Sequence, residues 1–373
     1  MRVLVLGGYG NFGARICRAL VGDSAIELLV GGRSQMRADA FASEIGHGAQ
    51  GLVLDHIHPD FSQHLIQWGV ELLIHTAGPF QTQGYGVAQA AAAAGAHYID
   101  LADGRRFVCD FPHLLDAAFR KVGKTAISGA STVPALSSAV IDHLCKDWQR
   151  IDSIDICIAP AQTAPRGKAT LAAVLSYCGA PIQTWVNGHW TSQRGWAQLR
   201  PVQFARLRPR LGALCDIPDL ELFSSHYQVT QRVMFRAALE VRLTQYAFAF
   251  LALLRTWRIL VHPERWAGLL NFAAPALDFL GSSLGGMVVR VEGLDHKGTR
   301  THSAWHITAG NDHGPEIPCM AAILLARRLA SNNRMAAGAF ACMSLLDLAE
   351  FKPEFDRWGM VTDTECETTT APQ

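Results

Sequence analysis

At 373 residues the chain exceeds what one hydrophobic core usually organises, so two domains are expected. A composition of 49% hydrophobic and 17% charged residues excludes a disordered chain, and a formal net charge of +1 excludes a protein drawn by its overall field to nucleic acid or acidic lipid. The arginines are scattered without aromatic alternation, so no base-stacking platform is offered and nucleic acid is not an expected partner.

The first predicted strand, 3–6, runs into Gly8-Tyr9-Gly10-Asn11-Phe12-Gly13 and then a helix over 14–21. This G-x-G-x-x-G run gains meaning from that context, a strand before it and a helix after it. Gly8 permits a tight turn, Gly10 lets the backbone approach a pyrophosphate, and Gly13 lets the helix pack close to the strand. The amides of Asn11 and Phe12, at the start of the helix, then face the phosphates with the helix dipole behind them.

The second strand, 26–30, leads into LLVGGRSQMR. A site for NAD carries Asp or Glu about 20 residues past the glycines, on the ribose 2′-hydroxyl. Here Gly31 and Gly32 remove bulk and negative charge, while Arg33, Ser34 and Arg37 supply donors suited to a 2′-phosphate, and Arg33 can stack on adenine. The expected cofactor is NADP; the plainer alternative is a pair of solvated arginines.

A helix over 37–45 and a strand over 51–54 follow, ending at Asp55, a candidate for the adenine amino group or an ordinary loop aspartate. After a helix over 61–68, the strand 72–75 ends in HTAGPFQTQG, where the backbone of Ala77, Gly78, Pro79 and Phe80 can lie beside the nicotinamide ribose. Helices over 85–94 and 111–121 alternate with strands over 98–101 and 125–127. Strict β–α alternation predicts a parallel, Rossmann-like sheet with helices on both faces over residues 1–130.

Beyond Ser131 the pattern changes. IDSIDICIAPA and PIQTWVNGHWTSQ read as strands around the helix KATLAAVLSYC, and GGMVVRVEGLD pairs with TRTHSAWHITAG through the turn HKG. A second α+β domain with a mostly antiparallel sheet is expected over 131–313. PEIPCMAAILLARRLA and GAFACMSLLDLAEF read as helices, 314–360, packing back on the first domain, with 361–373 a flexible tail. The tract 240–290 is the most apolar part, but Arg255, Arg258, Glu264, Arg265 and Asp278 interrupt it, so no spanning helix is expected. Buried helices or a lid over an apolar pocket is the first reading; contact with a membrane surface is the other.

Chemistry is expected at the end of the fifth strand, HYIDLADG. Asp103 is the first choice for contacting substrate or stabilising a protonated imine, with Tyr98 as a second candidate and Asp100 beside them; capping or satisfying loop amides is the alternative for both aspartates. Tyr85 and Gln81 border the expected nicotinamide position, and Arg166 with Lys168 could clamp a substrate carboxylate or lie on a solvated helix start. The histidines of HIHPDFSQH and HSAWHITAGNDH lack the spacing of a zinc enzyme, so no metal is expected. Nine cysteines without a CxxC pair, and a strand beginning at Arg2 that leaves no room for a leader, suggest reduced thiols and a cytoplasmic protein.

Together GGYGNFG, GGRS, AGPFQTQG and AGAHYIDLADG, in that order, resemble the saccharopine dehydrogenase-like family, and APRGKATLAAVLSYCGAPIQTWVNG and DIPDLELF look like bacterial members of unassigned substrate. The resemblance implies an NADP-binding Rossmann domain, an inserted domain around an antiparallel sheet, and C-terminal helices returning to the first domain. It also implies pyridine-nucleotide oxidoreduction of an imine, a carbonyl or an enoyl group. The expected substrate is a small molecule, tilted toward an apolar one by the 240–290 tract, and a homodimer is the candidate assembly. A nucleotide-binding scaffold or membrane-peripheral protein without turnover is the rival expectation.

Overall fold

A computed structural model describes residues 1–165, 167–331 and 335–369. The chain forms two compact units, the first made of Met1–Ala135 and Glu316–Leu345, the second of Leu136–Pro315 and Leu346–Gln373.

In chain order the first unit opens with β1 (Arg2–Leu6), α1 (Asn11–Leu20), β2 (Glu27–Gly32), α2 (Gln35–Ile45), β3 (Gln50–Val53), α3 (Phe61–Gln67), β4 (Leu72–His75), α4 (Gly86–Ala93), β5 (His97–Asp100), α5 (Arg105–Lys121) and β6 (Thr125–Ser128). The second unit follows with α6 (Ser137–Leu144), β7 (Arg150–Ala159), α7 (Lys168–Tyr177), β8 (Pro181–Val186), β9 (His189–Arg194), β10 (Arg200–Val202), β11 (Arg210–Leu214), α8 (Asp219–His226), β12 (Arg232–Ala237) and α9 (Arg242–Thr256). It continues through α10 (Ala267–Ala273), flanked by the 3-10 segments Pro263–Trp266 and Ala274–Leu280, to β13 (Gly285–Leu294) and β14 (Arg300–Ala309). α11 (Ile317–Ala330) and β15 (Gly338–Ala341) belong to the first unit; α12 (Leu348–Arg357) and β16 (Val361–Thr369) belong to the second.

Among the described residues the first sheet runs β3-β2-β1-β4-β5-β6-β15, every pairing parallel. The strand order reverses between β1 and β4, and ligands of open parallel sheets bind outside the carboxyl ends at such a point. β4 is buried along its whole length, and Val3, Leu4 and Val5 of β1 are fully buried, as a sheet covered on both faces requires. α5 begins earlier than the expected 111, because its apolar face runs on through Phe107, Val108, Phe111, Leu115 and Phe119 across Pro112.

The second sheet runs β10-β11-β12-β7-β13-β14-β16, with β8 on β12 and β9 on β8. Among the described residues only the β12–β7 pair of strands is parallel there, so the expected antiparallel character is observed in a mixed sheet. β13 and β14 are joined by the expected tight turn, in which Asp295 N–H bonds the Thr299 carbonyl at 3.0 Å.

Three expectations are corrected. Residues 361–369 are not a flexible tail: β16 pairs with β14 over nine positions, from Val361 opposite Thr308 to Thr369 opposite Arg300. Its alternating threonines favour an extended chain, and its carboxylates suit an edge strand; residues 370–373 lie outside the described residues. GAFACMSLLDLAEF is not one helix but β15, extending the first sheet beside β6, and then α12, started by an Asp347–Glu350 capping box. The proposed C-terminal block 314–360 is therefore shared between the units instead of returning whole to the first. Finally, the helical part of 240–290 is no buried core: α9 buries Gln245, Phe248 and Ala252, and β13 buries Gly285–Val289, while thirteen large apolar side chains between Leu243 and Leu284 stay exposed. No helix of the described residues is long and apolar enough to cross a membrane.

Candidate functional site

The carboxyl ends of β1, β2, β4, β5 and β6 carry the candidate residues of the first unit. β1 turns at Gly7, whose φ of +83° favours glycine, so the conformational demand falls one residue before Gly8. Gly8 is required by crowding: a Cβ there would lie 2.9 Å from both Val30 Cγ1 and the Val5 carbonyl oxygen. The amides of Gly7 and Gly8 both donate to the Gly31 carbonyl, at 2.9 and 3.0 Å, and this fixes the loop against β2. Gly13 lets α1 close on that loop, since a Cβ there would sit 2.2 Å from the Gly7 carbonyl oxygen. Over Gly10 the space is open apart from the Gly7 carbonyl group, whose oxygen would be 3.0 Å from an added Cβ. Gly10 is the N-cap of α1 and no side chain caps the first turn, formed by Asn11, Phe12 and Gly13. An open cradle beside an uncapped helix start has the donors and the partial positive charge that a pyrophosphate requires; these residues fit a dinucleotide.

At the end of β2 the two glycines prove to be packing residues. A Cβ on Gly31 would meet Leu4 Cδ1 at 2.8 Å, and one on Gly32 would enter the Tyr9 ring at 2.3–2.5 Å. Tyr9 thus lies over Gly32, its phenol oxygen accepts the Ser34 N–H at 3.0 Å, and the Arg37 guanidinium stacks 4.6 Å above its ring. The glycine loop and the β2–α2 loop are tied by this one side chain, which sequence reasoning missed; the available signal was an aromatic residue inside the glycine run facing a Gly-Gly pair. Ser34 caps α2, its hydroxyl accepting the Arg37 N–H at 3.4 Å. Arg33 is exposed and makes no ion pair among the described residues. Asp55 is exposed beyond β3 and accepts the Ile57 N–H at 3.1 Å, an Asx turn that leaves its second oxygen for a ligand.

The loop after β4 is braced from two directions. Thr76 Oγ1 donates to the Leu6 carbonyl at 2.9 Å, and Gln83 Nε2 donates to the Ala77 and Pro79 carbonyls at 2.7 and 2.9 Å. Neither residue was singled out in the sequence. Phe80 is buried against His75 and Phe107, with ring centroids 5.0 and 5.3 Å apart, so its side chain anchors the loop while the backbone of 77–79 remains at the strand end. Gly104, before α5, lets the β5 loop approach: a Cβ there would lie 3.3 Å from the Gln81 amide nitrogen.

The three candidates of the fifth strand separate. Tyr98 is fully buried in β5, stacked on Phe111 at 5.7 Å, with its hydroxyl 3.0 Å from His75 Nδ1. Burial lowers His75 to about 3 and raises Tyr98 well above its ordinary value, so both are neutral near pH 7. Asp100 is also fully buried; its Oδ1 accepts the Ala102 and Gly129 N–H groups at 2.9 and 2.8 Å and the Ser128 hydroxyl at 3.0 Å. Burial raises it to about 6 against the pull of those bonds, and its work is to lock the ends of β5 and β6. Asp103 stands beyond them, half-buried in the loop, and its Oδ1 accepts Gln81 Nε2 at 3.0 Å. Burial raises its pKa as well, opposed by the Gln81 bond. Gln81 and Asp103 are therefore brought together across the β4 and β5 loops.

Tyr85, at the start of α4, donates to the Phe107 carbonyl at 3.2 Å and packs on that ring at 4.8 Å. Arg166 and the Lys168 side chain lie outside the described residues. No group of three His, Cys, Asp or Glu gathers at metal-binding distance among the described residues; His302 instead pairs with Glu292 at 3.4 Å, and His306 is buried in β14.

Residues 3–140 match the family model of the saccharopine dehydrogenase NADP binding domain. The whole chain is similar to an apo saccharopine dehydrogenase (L-Glu forming) from Saccharomyces cerevisiae, at 12% identity and a TM-score of 0.70, covering 98% of this chain and 99% of that one. It is also similar to an amine dehydrogenase from Mycobacterium smegmatis, at 12% identity and a TM-score of 0.48, over 91% and 94% of the two chains. No curated protein matches the sequence. The first of these likenesses establishes the fold of the chain, and the family model marks residues 3–140 as the stretch that matches a saccharopine dehydrogenase NADP binding domain.

Proposed function

We propose that the chain is an NADP(H)-dependent oxidoreductase that transfers hydride to or from an imine, carbonyl or enoyl group of a small-molecule substrate. The observation that carries this reading is the placement, at the carboxyl ends of neighbouring strands of the first sheet, of the Gly10 cradle, the exposed Arg33 with Arg37, and the Gln81–Asp103 pair. When bound, NADPH supplies hydride from the nicotinamide ring. In this reading Arg33, Ser34 and Arg37 hold the 2′-phosphate, the first turn of α1 holds the pyrophosphate, and the backbone of 77–79 borders the nicotinamide ribose. Asp55 would take the adenine amino group.

Asp103 is the group we assign to the substrate. Its carboxyl, raised by burial against the Gln81 bond, is placed to exchange a proton with a reduced carbonyl or amine; ionised, it stabilises the charge of a protonated imine. Gln81 orients it. Tyr98, enclosed behind it, supports the strand end and does not touch substrate in this proposal.

The test is a thermal-shift titration with NADPH and NADH, followed by NADPH oxidation with a panel of carbonyls, imines and enones. NADPH should raise the melting temperature far more than NADH, and Arg33→Ala should weaken NADPH by roughly tenfold or more, the worth of one charge-assisted phosphate contact, with NADH unchanged. An equal response to the two nucleotides would overturn the assignment of Arg33. Tight NADPH binding with no turnover on any acceptor class would replace the enzyme by a nucleotide-binding scaffold.

A further inference from the structure

α9 is apolar on two opposite sides. Its inner side, Gln245, Phe248 and Ala252, is buried; Phe248 packs 5.0 Å from the Trp196 ring and its carbonyl accepts Cys178 Sγ at 3.3 Å. Arg255 also turns inward and donates to the Ser176 and Cys178 carbonyls, at 2.7 and 3.1 Å, closing the end of α7. The helix is thus held firmly by one side. Its outer side carries Leu243, Tyr246, Phe250, Leu253 and Trp257, all exposed, at successive spacings of three and four residues. That periodicity is a second apolar stripe, and no core within the described residues uses it.

The exposure continues where the helix ends. Ile259, Trp266, Phe272 and Phe279 are exposed along the short helical turns that follow, Phe272 at 84% and Phe279 at 80% of their full surface. α10 and the 3-10 segment before it pack on α7, the same helix that Arg255 closes, so the aromatic turns and α9 are arranged around one support. A monomeric protein rarely exposes so concentrated a set of large apolar side chains without an interaction to use it.

The charges on this segment are one-sided. Between 242 and 284 the ionisable groups of fixed charge are Arg242, Arg255, Arg258 and Arg265 against Glu264 and Asp278. Both carboxylates are half-buried and engaged, Glu264 with His262 at 2.9 Å and Asp278 with Gln162 at 3.0 Å. What faces outward among the aromatic residues is therefore Arg242, Arg258 and Arg265. Exposed tryptophan and phenylalanine with interleaved arginine, on a helix and turns too short to span, are the features of a surface that lies in the interface of an anionic bilayer.

We propose that residues 242–284 form an interfacial membrane-docking face, which inserts its outer apolar side chains at the headgroup boundary of an anionic lipid surface and holds it with Arg258 and Arg265. This goes beyond the redox reading and stands without it. A second copy of the chain is the competing occupant, since the outer stripe of α9 has the spacing of a helix–helix seam. The irregular run of exposed aromatic residues after Thr256 and the absence of outward carboxylates in the described segment favour the lipid: a self-complementary charged interface needs both signs.

The full-length protein should sediment with vesicles of phosphatidylcholine and phosphatidylglycerol, far less with phosphatidylcholine alone, and less as salt is raised. Its tryptophan emission should shift to the blue on binding, and Trp257→Ser together with Phe272→Ser should reduce binding by at least roughly tenfold. Arg258→Glu with Arg265→Glu should abolish the preference for anionic lipid while leaving the melting temperature unchanged, which separates lost docking from lost folding. No sedimentation with either vesicle would overturn the proposal. A dimer in sedimentation velocity that Phe250→Ser dissociates, with no vesicle binding, would assign the face to a second copy instead. Binding that ignores phosphatidylglycerol would refute the part given to the arginines.

Discussion

A Cβ added at Gly13 would lie 2.2 Å from the Gly7 carbonyl oxygen, whereas one added at Gly10 would meet nothing closer than 3.0 Å. Two residues of one motif therefore answer to different physics. Gly13→Ala should destabilise the first unit by about 1–3 kcal/mol, the usual cost of forcing a methyl into packed backbone, and lower the melting temperature of the apo protein. Gly10→Ala should lower the apo melting temperature less than Gly13→Ala, because its φ of −82° suits alanine and the Gly7 carbonyl oxygen is 3.0 Å away instead of 2.2 Å, and yet remove most of the NADPH-induced shift. Apo melting unchanged in both variants would contradict the close α1–loop packing. Tyr9 belongs to the same scale: it acts as a spacer between the glycine loop and Ser34, a role that no motif records. Asp100 shows the reverse, a carboxylate in a suggestive place whose three accepted hydrogen bonds make it a lock for two strands.

β16 illustrates what decides an element. The run TDTECETT has no apolar face of its own, and it becomes a strand only because β14 offers a free edge and Arg206 holds Asp363 bidentately at 2.7 and 2.8 Å. A chain ending at Met360 should therefore melt several degrees below the full-length protein and expose the β14 edge, a change read by differential scanning calorimetry and by loss of amide protection in β14. Identical melting with and without the segment would show that the strand contributes nothing. The helices were easier to read than their limits. α5 started six residues earlier than expected because its buried side chains recur at helical spacing on both sides of Pro112.

At the scale of the whole molecule, stability and pH are linked through buried ionisable groups of both kinds. Asp219, at the start of α8, is fully buried, accepts the Ser137 hydroxyl at 2.6 Å, and is raised by burial to about 7. Unfolded, such a carboxyl titrates near about 3.9. Between the two values the folded state binds more proton, so this contribution is complete below the unfolded value and is lost as pH rises toward 7. His75 runs the other way: held near 3 in the fold and near about 6.5 when unfolded, it contributes fully above 6.5 and less as pH falls. The two partly cancel in the total, so the test is a difference. Asp219→Asn should gain melting temperature relative to the parent as pH is raised from about 4 to 8, with the smallest gain at the acid end, where the contribution of Asp219 is still nearly complete. A difference that is flat or reversed across that range would mean that Asp219 is ionised in the fold.

The sequence by itself determined the alternation of strands and helices in the first 130 residues, the position of the glycine cradle and the placing of Arg33, Ser34 and Arg37 at the end of β2. Those features are local: hydrophobic period, turn chemistry and helix starts are written within about twenty residues. Only the tertiary structure decided that Tyr9 fills the space over Gly32, that Gln81 meets Asp103, that the polar C-terminal segment completes a sheet, and that the most apolar stretch of the chain faces outward. A pattern of apolar residues specifies which side of an element avoids water. What covers that side depends on a partner distant in the chain or outside it, and no local period carries that information.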